Sequence, residues 1–176
     1  MTNTRNIFRA TISLGVAISV LLASLSSVWA QNSDERAVQD TVERFLVTIG
    51  DGDLDKLPAM FVPKANIGAA SLRDGKWVSS TKTFEEWFTE LKAESTWTRF
   101  REPVSKFTVH VESGQLAFVR ADATYIVDGQ VRSHNIDYFT LVRDEGIWRI
   151  LNASYVATPV ETNWRRDEPT FAFSGR

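Results

Sequence analysis

The 176-residue chain has no cysteine, two histidines, five prolines and no excess of positive charge. Without cysteine there can be no disulfide, thiolate metal site, Cys nucleophile or acylated N-terminal cysteine. The two histidines, His110 and His134, show neither an HxH nor an HxxxH spacing, so no metal site is expected. Lys and Arg number 20 against 22 Asp and Glu. Nucleic-acid and anionic-lipid surfaces require clustered cations, so neither partner is expected. No cofactor is expected either.

Long apolar runs are also scarce; the one that exists is Ala10 to Leu25. Arg5 and Arg9 precede it, and Val28 and Ala30 supply small residues ahead of Gln31. That three-part pattern reads as a secretory signal peptide over residues 1–30, cleaved after Ala30. The rival reading is a membrane anchor, but a spanning helix needs about 20 strongly apolar residues and this run is shorter and diluted by Ser, Thr and Gly. The expected product is exported, periplasmic or secreted, with no membrane contact after cleavage. Removing Arg5 and Arg9 leaves 18 basic and 22 acidic side chains, a net charge of about −4. The remaining length suits one domain with one core, placed at residues 31–158, with a tail at 159–176 in which Trp164, Phe171 and Phe173 have no clear period.

Ser33 caps a predicted helix with apolar residues at Val38, Val42, Phe45, Leu46 and Ile49, a one-sided spacing of three and four. "GDGD", residues 50–53, stops it, and Asp53 is expected to cap a short helix over 54–61 made irregular by Pro58. Residues 65–72 read as a strand, followed by a turn and a short strand near Trp77. Thr83 opens a third helix to about Ala93, burying Phe84, Trp87, Phe88 and Leu91. The period then becomes two. Strands are predicted over 100–112, 116–128, 131–143 and 147–158, joined by "SG", "DG" and "DEG" turns. Helices beside an antiparallel sheet make an α+β layer fold.

That order, with "VERFLVTIGDGDLDKLPAMFVPKANI" early and "IDYFTLVRDEGIWRI" late, resembles the nuclear transport factor 2-like superfamily. Within it the chain is similar to SnoaL-like and ketosteroid-isomerase-like domains. The resemblance implies a cone: a curved, mixed or antiparallel sheet wrapped around three helices, enclosing an apolar pocket. It also implies that a homodimer could form through the outer sheet face, which carries His134 and Tyr138.

The resemblance can be followed residue by residue. "NIDYF" is similar to the stretch that carries an oxyanion aspartate in ketosteroid isomerases, so Asp137 falls on that position. The accompanying tyrosine position is Phe45 and the base position falls near Ala69, neither of which can handle a proton. "VRAD" resembles the Arg-x-Asp strand of limonene epoxide hydrolase and places Arg120 and Asp122 on one strand face; Asn152 stands where that enzyme has a second acid. Scytalone-dehydratase-like chemistry would need two pocket histidines, and His134 has the wrong parity relative to Asp137.

Asp137 shares its strand face with Ser133, Asn135, Phe139 and Leu141. It is open to three readings: a ligand contact with a raised pKa, a carboxylate paired with Arg120 or backbone, or a proton-transfer group. Arg120 and Asp122 are either a surface ion pair or pocket groups. Tyr155 and Leu151, on the last strand, are expected in the pocket with Phe45 and Phe139; Trp77 and Trp97, flanking the third helix, are expected at its mouth. The leading expectation is a module that binds a small apolar or amphipathic molecule. The alternatives are an isomerase, dehydratase or hydrolase using Asp137 with Arg120, Asp122 or Tyr155, and an assembly module with a filled interior.

Overall fold

The computed structural model describes residues 33–73, 75–93 and 98–160. The predicted signal segment, Trp97, and the tail residues Trp164, Phe171 and Phe173 lie outside the described residues.

Helix α1 covers residues 33–51. Its five periodic apolar residues, Val38, Val42, Phe45, Leu46 and Ile49, are all buried. The helix closes on a double bond pattern: Gly52 N–H donates to the Ile49 carbonyl and Asp53 N–H to the Thr48 carbonyl, both at 3.1 Å. This is a Schellman ending, and it needs the left-handed φ of 76° that Gly52 adopts without a Cβ penalty. The predicted second helix is a 3-10 helix, Leu54–Met60. Pro58 sits inside it, and a proline cannot donate the bond that would close an α turn. Asp53 makes no side-chain cap and pairs with Lys56 instead.

Strands β1 (Phe61–Arg73) and β2 (Lys76–Thr83) form a hairpin, longer than the sequence pattern suggests. Helix α2 (Phe84–Ala93) opens with a reciprocal cap. Thr83 N–H donates to Glu86 Oε2 at 2.9 Å, and Glu86 N–H donates to Thr83 Oγ1 at 3.2 Å. The helix then buries Trp87 and Leu91. The predicted strand over 100–112 is two pieces, β3 (Phe100–Arg101) and β4 (Val104–Glu112), because Pro103 has no N–H to give a ladder. Both pair with β5 (Leu116–Val127), which is followed by β6 (Gln130–Asp144) and β7 (Ile147–Pro159).

The seven strands form one sheet in the order β2-β1-β7-β6-β5-β3, with β4 also on β5. The β1–β7 pairing is parallel and every other pairing is antiparallel, so the sheet is mixed. Helix α1 and the sheet share one core. The inward residues of β5, Ala117, Val119, Ala121 and Ala123, are small and almost fully buried. Phe45 meets the rings of Phe61 and Phe139 edge-on, at centroid distances of 5.4 and 5.8 Å. At the start of α1, Asp34 pairs with Arg143 of β6, whose guanidinium lies 4.8 Å from the Trp148 ring. The helix is thus fixed to the sheet at one end by charge and along its length by apolar contact.

Gly50 sets how close α1 can lie to β3. A Cβ there would stand 2.6 Å from the Phe100 carbonyl oxygen, which is backbone and cannot swing aside. Gly50→Ala gains about 1 kcal/mol of helix propensity but forces a core overlap that typically costs about 1–3 kcal/mol. The expected outcome is a net loss of about 1 kcal/mol, read as a lower urea midpoint. A higher midpoint would contradict the close approach.

Candidate functional site

Alternation along β6 builds the site. Ser133, Asn135, Asp137, Phe139 and Leu141 are all buried, while His134 and Tyr138 between them are exposed. α1 covers the later part of this face, through the contact of Phe45 with Phe139. The earlier part opens into a cavity of about 550 Å³. Its apolar wall comes from Phe45, Leu46 and Ile49 of α1, Trp87 of α2, Ile67 and Ala69 of β1, with Phe100, Phe139 and Ala153. Its polar wall holds Ser133, Asn135, Asp137, Glu102, Tyr125 and Tyr155.

Cross-strand register places Asp137 between Tyr155 of β7 and Ala121 of β5. Ala121 offers only a methyl group, so that side gives no hydrogen bond. Asp137 is 5 % exposed, and its Oδ2 is buried with no hydrogen-bond partner among the described residues. A carboxylate in that position would be costly. Burial, reinforced by the charges of Glu102 and Asp122, pushes the Asp137 carboxyl up to about 8. At neutral pH it is therefore mainly a neutral acid, able both to donate and to accept a hydrogen bond.

Glu102 was not expected here. It shares strand parity with Phe100, which is buried, and that parity is the signal by which the sequence marks it as inward. Some of the residue is exposed, but its carboxyl is enclosed, and burial raises it to about 7. Asn135 Nδ2 donates to Glu102 Oε1, which holds the shift back, and Ser133 Oγ donates to Asn135 Oδ1 at 2.8 Å. Glu102 and Asp137 titrate as a pair, because the charge of one opposes ionisation of the other. Burial and the Glu102 charge also push the Tyr125 and Tyr155 hydroxyls upward, so both stay neutral donors.

The other expected site residues divide. Asp137, Tyr155, Phe45 and Phe139 line the cavity. Arg120 and Asp122 do not: Arg120 lies opposite Tyr138 on the outer sheet face and its Nε donates to Asp122 Oδ1 at 2.7 Å. Asp137 therefore has no guanidinium from β5. Leu151 is displaced by a bulge. Thr140 pairs with Asn152 and Leu141 with Ile150, so Leu151 is the extra residue and is turned outward, 37 % exposed. Trp77 is 58 % exposed on β2, where Val78, Ser79 and Ser80 reach the cavity instead. Trp97 lies outside the described residues. His110 is exposed beside Glu112, and His134 is exposed on the outer face, so neither histidine meets Asp137.

A family model described as "Putative lumazine-binding" matches residues 33–156. No curated protein matches the chain. Among solved structures, a nuclear transport factor 2-like protein with a cystatin-like fold from Novosphingobium aromaticivorans is 15% identical. It covers 77% of this chain and 89% of its own, with a TM-score of 0.61. A protein described as "Putative Scytalone Dehydratase" from the same organism is also 15% identical, covering 78% and 93%, with a TM-score of 0.59. The β subunit of a dioxygenase described as "putative aromatic-ring-hydroxylating", again from that organism, is 11% identical over 74% and 92%, with a TM-score of 0.57. At these identities the likeness speaks for the fold, which is nuclear transport factor 2-like.

The raised carboxyls have a signed consequence for stability. Unfolding would let Asp137 and Glu102 ionise at ordinary carboxyl values, so between about pH 4 and pH 8 the unfolded state sheds protons that the folded state keeps. Stability contributed by these groups is fully present at low pH and is lost as pH rises through that window. Thermal melts of the unliganded protein should therefore show a falling midpoint from pH 5 to pH 8. Asp137→Asn should flatten the fall; an unchanged slope would show that Asp137 ionises normally in the folded state.

Proposed function

Because the chain belongs to the family described as "Putative lumazine-binding", within the nuclear transport factor 2-like superfamily, we propose that it binds a small, largely apolar molecule in a conical pocket between α1 and the sheet. The observation that carries this reading is Asp137: an acid with 5 % exposure, lining a cavity, whose Oδ2 has no hydrogen-bond partner among the described residues. A buried polar atom left unsatisfied costs about 1–3 kcal/mol, and a carboxyl that turns toward a ligand edge bearing an acceptor or donor removes that cost. The family description names lumazine. A flat heterocycle of that kind presents apolar faces and a ring edge of N–H and C=O groups. The apolar wall and the neutral carboxyl, with the Tyr155 hydroxyl beside it, are matched to such an edge.

A second reading is favoured by the coupling of Glu102 with Asp137. Two carboxyls raised toward neutrality can pass a proton to and from one substrate, which would make the domain an isomerase or dehydratase with Tyr155 as an added donor. Arg120 and Asp122 have no part in this version, since they face away from the cavity. An assembly role with a filled interior is disfavoured by the cavity of about 550 Å³ that the described residues enclose. The reading also includes export with cleavage after Ala30, and pairing of two copies through the outer face. There Phe118 and Tyr138 are each 47 % exposed, which supports a covered surface.

One experiment bears on these points: native mass spectrometry of the protein recovered from its exported fraction. The expected spectrum shows a chain beginning at Gln31, in dimeric form, with a mass excess that disappears on denaturation. Asp137→Leu is expected to lose the excess while staying folded. A persistent adduct in Asp137→Leu would remove the acid from the contact, and a bare wild-type mass would count against a tightly held ligand.

A further inference from the structure

The cavity wall carries carboxyls and guanidiniums. Asp137 is almost wholly buried beside Tyr155. Two guanidiniums, Arg73 and Arg132, line the cavity together with Ser79 and Ser80, and Arg73 and Ser79 are exposed where β1 passes into β2, which marks that side as the mouth. Each arginine is delivered by a specific feature of the sheet. Arg73 follows Ala69 and Ser71 on alternate positions of β1, all three lining the cavity, at the point where β1 turns into β2. Arg132 sits in a bulge of β6. Tyr125 pairs with Ser133 and Ile126 with Val131, so Arg132 is the unpaired residue, re-aimed toward the cavity beside Ser133.

Register fixes how far apart they stand. Ser133 pairs with Pro159, and the parallel pairing of Ser71 with Ala157 carries Arg73 to the other side of Pro159. The two arginines therefore flank the end of β7, with backbones roughly 10 Å apart across two strand spacings. Side chains of that length can close on one anionic group. A guanidinium has five donors in a fork, so Arg132 can hold a partner of its own and still meet a ligand. The field of each reaches inward: Arg73 opposes the upward shift of Tyr155, and Arg132 that of Tyr125.

Resting on the binding reading above, we propose that the ligand is an amphipathic anion, with its carboxylate, sulfonate or phosphate at the mouth between Arg73 and Arg132. Its apolar body lies against Phe45, Trp87 and Phe100, and its inner end is uncharged and polar. The reverse orientation would bury the anion beside Asp137, where poor solvation opposes any charge, as it opposes ionisation of that carboxyl itself. A cationic molecule would have to pass two guanidiniums to enter.

A matched pair of fluorescent probes isolates the charge. 1-Anilinonaphthalene-8-sulfonate and N-phenyl-1-naphthylamine share one aromatic body and differ by the sulfonate. Titrations with the purified protein are expected to show tighter binding of the sulfonate probe, weakened by added salt, with the neutral probe insensitive to salt. In Arg73→Gln/Arg132→Gln the sulfonate probe should lose about tenfold in affinity, the size of a lost charge-assisted contact, while the neutral probe stays within about twofold. Retained neutral-probe binding also shows that the variant is folded. Ala69→Trp, which fills the cavity, should weaken both probes.

Binding of both probes with no response of the sulfonate to the arginine changes would overturn the anion-facing mouth and leave the binding reading standing. Sulfonate binding unaffected by Ala69→Trp would place it outside the cavity and overturn the proposal. Failure of both probes to bind the wild-type protein would remove this proposal and the apolar-pocket reading together.

Discussion

Asp137 is turned inward by a geometric rule that leaves it no choice. Strand β6 needs Phe139 and Leu141 against α1, and period-two alternation then sends Asp137, Asn135 and Ser133 to the same side. Rotating the acid outward would require a register slip that also pulls Phe139 and Leu141 out of the core. The acid's burial is thus enforced by apolar packing of its strand neighbours, and that burial, with no arginine paired to it among the described residues, keeps it protonated. The rest of the site follows from this. Glu102 is raised beside it, the tyrosine hydroxyls are held neutral, and the wall they form can donate hydrogen bonds while carrying little charge.

The same sheet face serves two purposes along its length. Toward one end, Ala117, Val119 and Ala121 of β5 leave room for α1 to settle, and the large rings of Phe45, Phe61 and Phe139 fill the interface. Toward the other, α1 has already ended at its Gly52 turn, and among the described residues a cavity remains there, bordered by Trp87 and Phe100. The position of the helix stop therefore bears on how large the cavity is. Gly50, one turn back, lets the helix end lie directly on the Phe100 carbonyl, so the cavity begins where the packed core stops.

Most of the fold was legible in the sequence because its elements obey simple periods. α1 shows three-and-four spacing, β5 to β7 alternate cleanly, and glycines mark the turns. The inward placement of Asp137 and Tyr155 could be read from those periods with the family resemblance. Positions where parity is interrupted were not legible. Leu151, expected in the pocket, and Arg132, for which no expectation was made, each occupy a bulge, and a single extra residue reverses which face a side chain meets. Arg120 and Asp122 obey alternation, but only the pairing of Ala121 with Asp137 shows that Ala121 is inward and its neighbours are not. Glu102 was hidden by a break at Pro103 within an apparently continuous strand, although its two-residue offset from Phe100 marks its direction.

The parallel pairing of β1 with β7 joins segments far apart in the chain, Ala69 with Tyr155 and Ser71 with Ala157. Hairpins β5–β6 and β6–β7 can form from neighbouring sequence, but this seam must wait for nearly the whole domain to be present. Long-range pairings of that kind are slow to form, because loop closure has to precede their reward. The wall bearing Tyr155 and the wall bearing Ala69 meet only at the seam, so the cavity is among the last features to take shape. A nascent or still-unfolded chain has hairpins and helices in prospect but no compartment. The compartment is thus a property of the closed sheet as a whole, and no single hairpin or helix of the chain carries it alone.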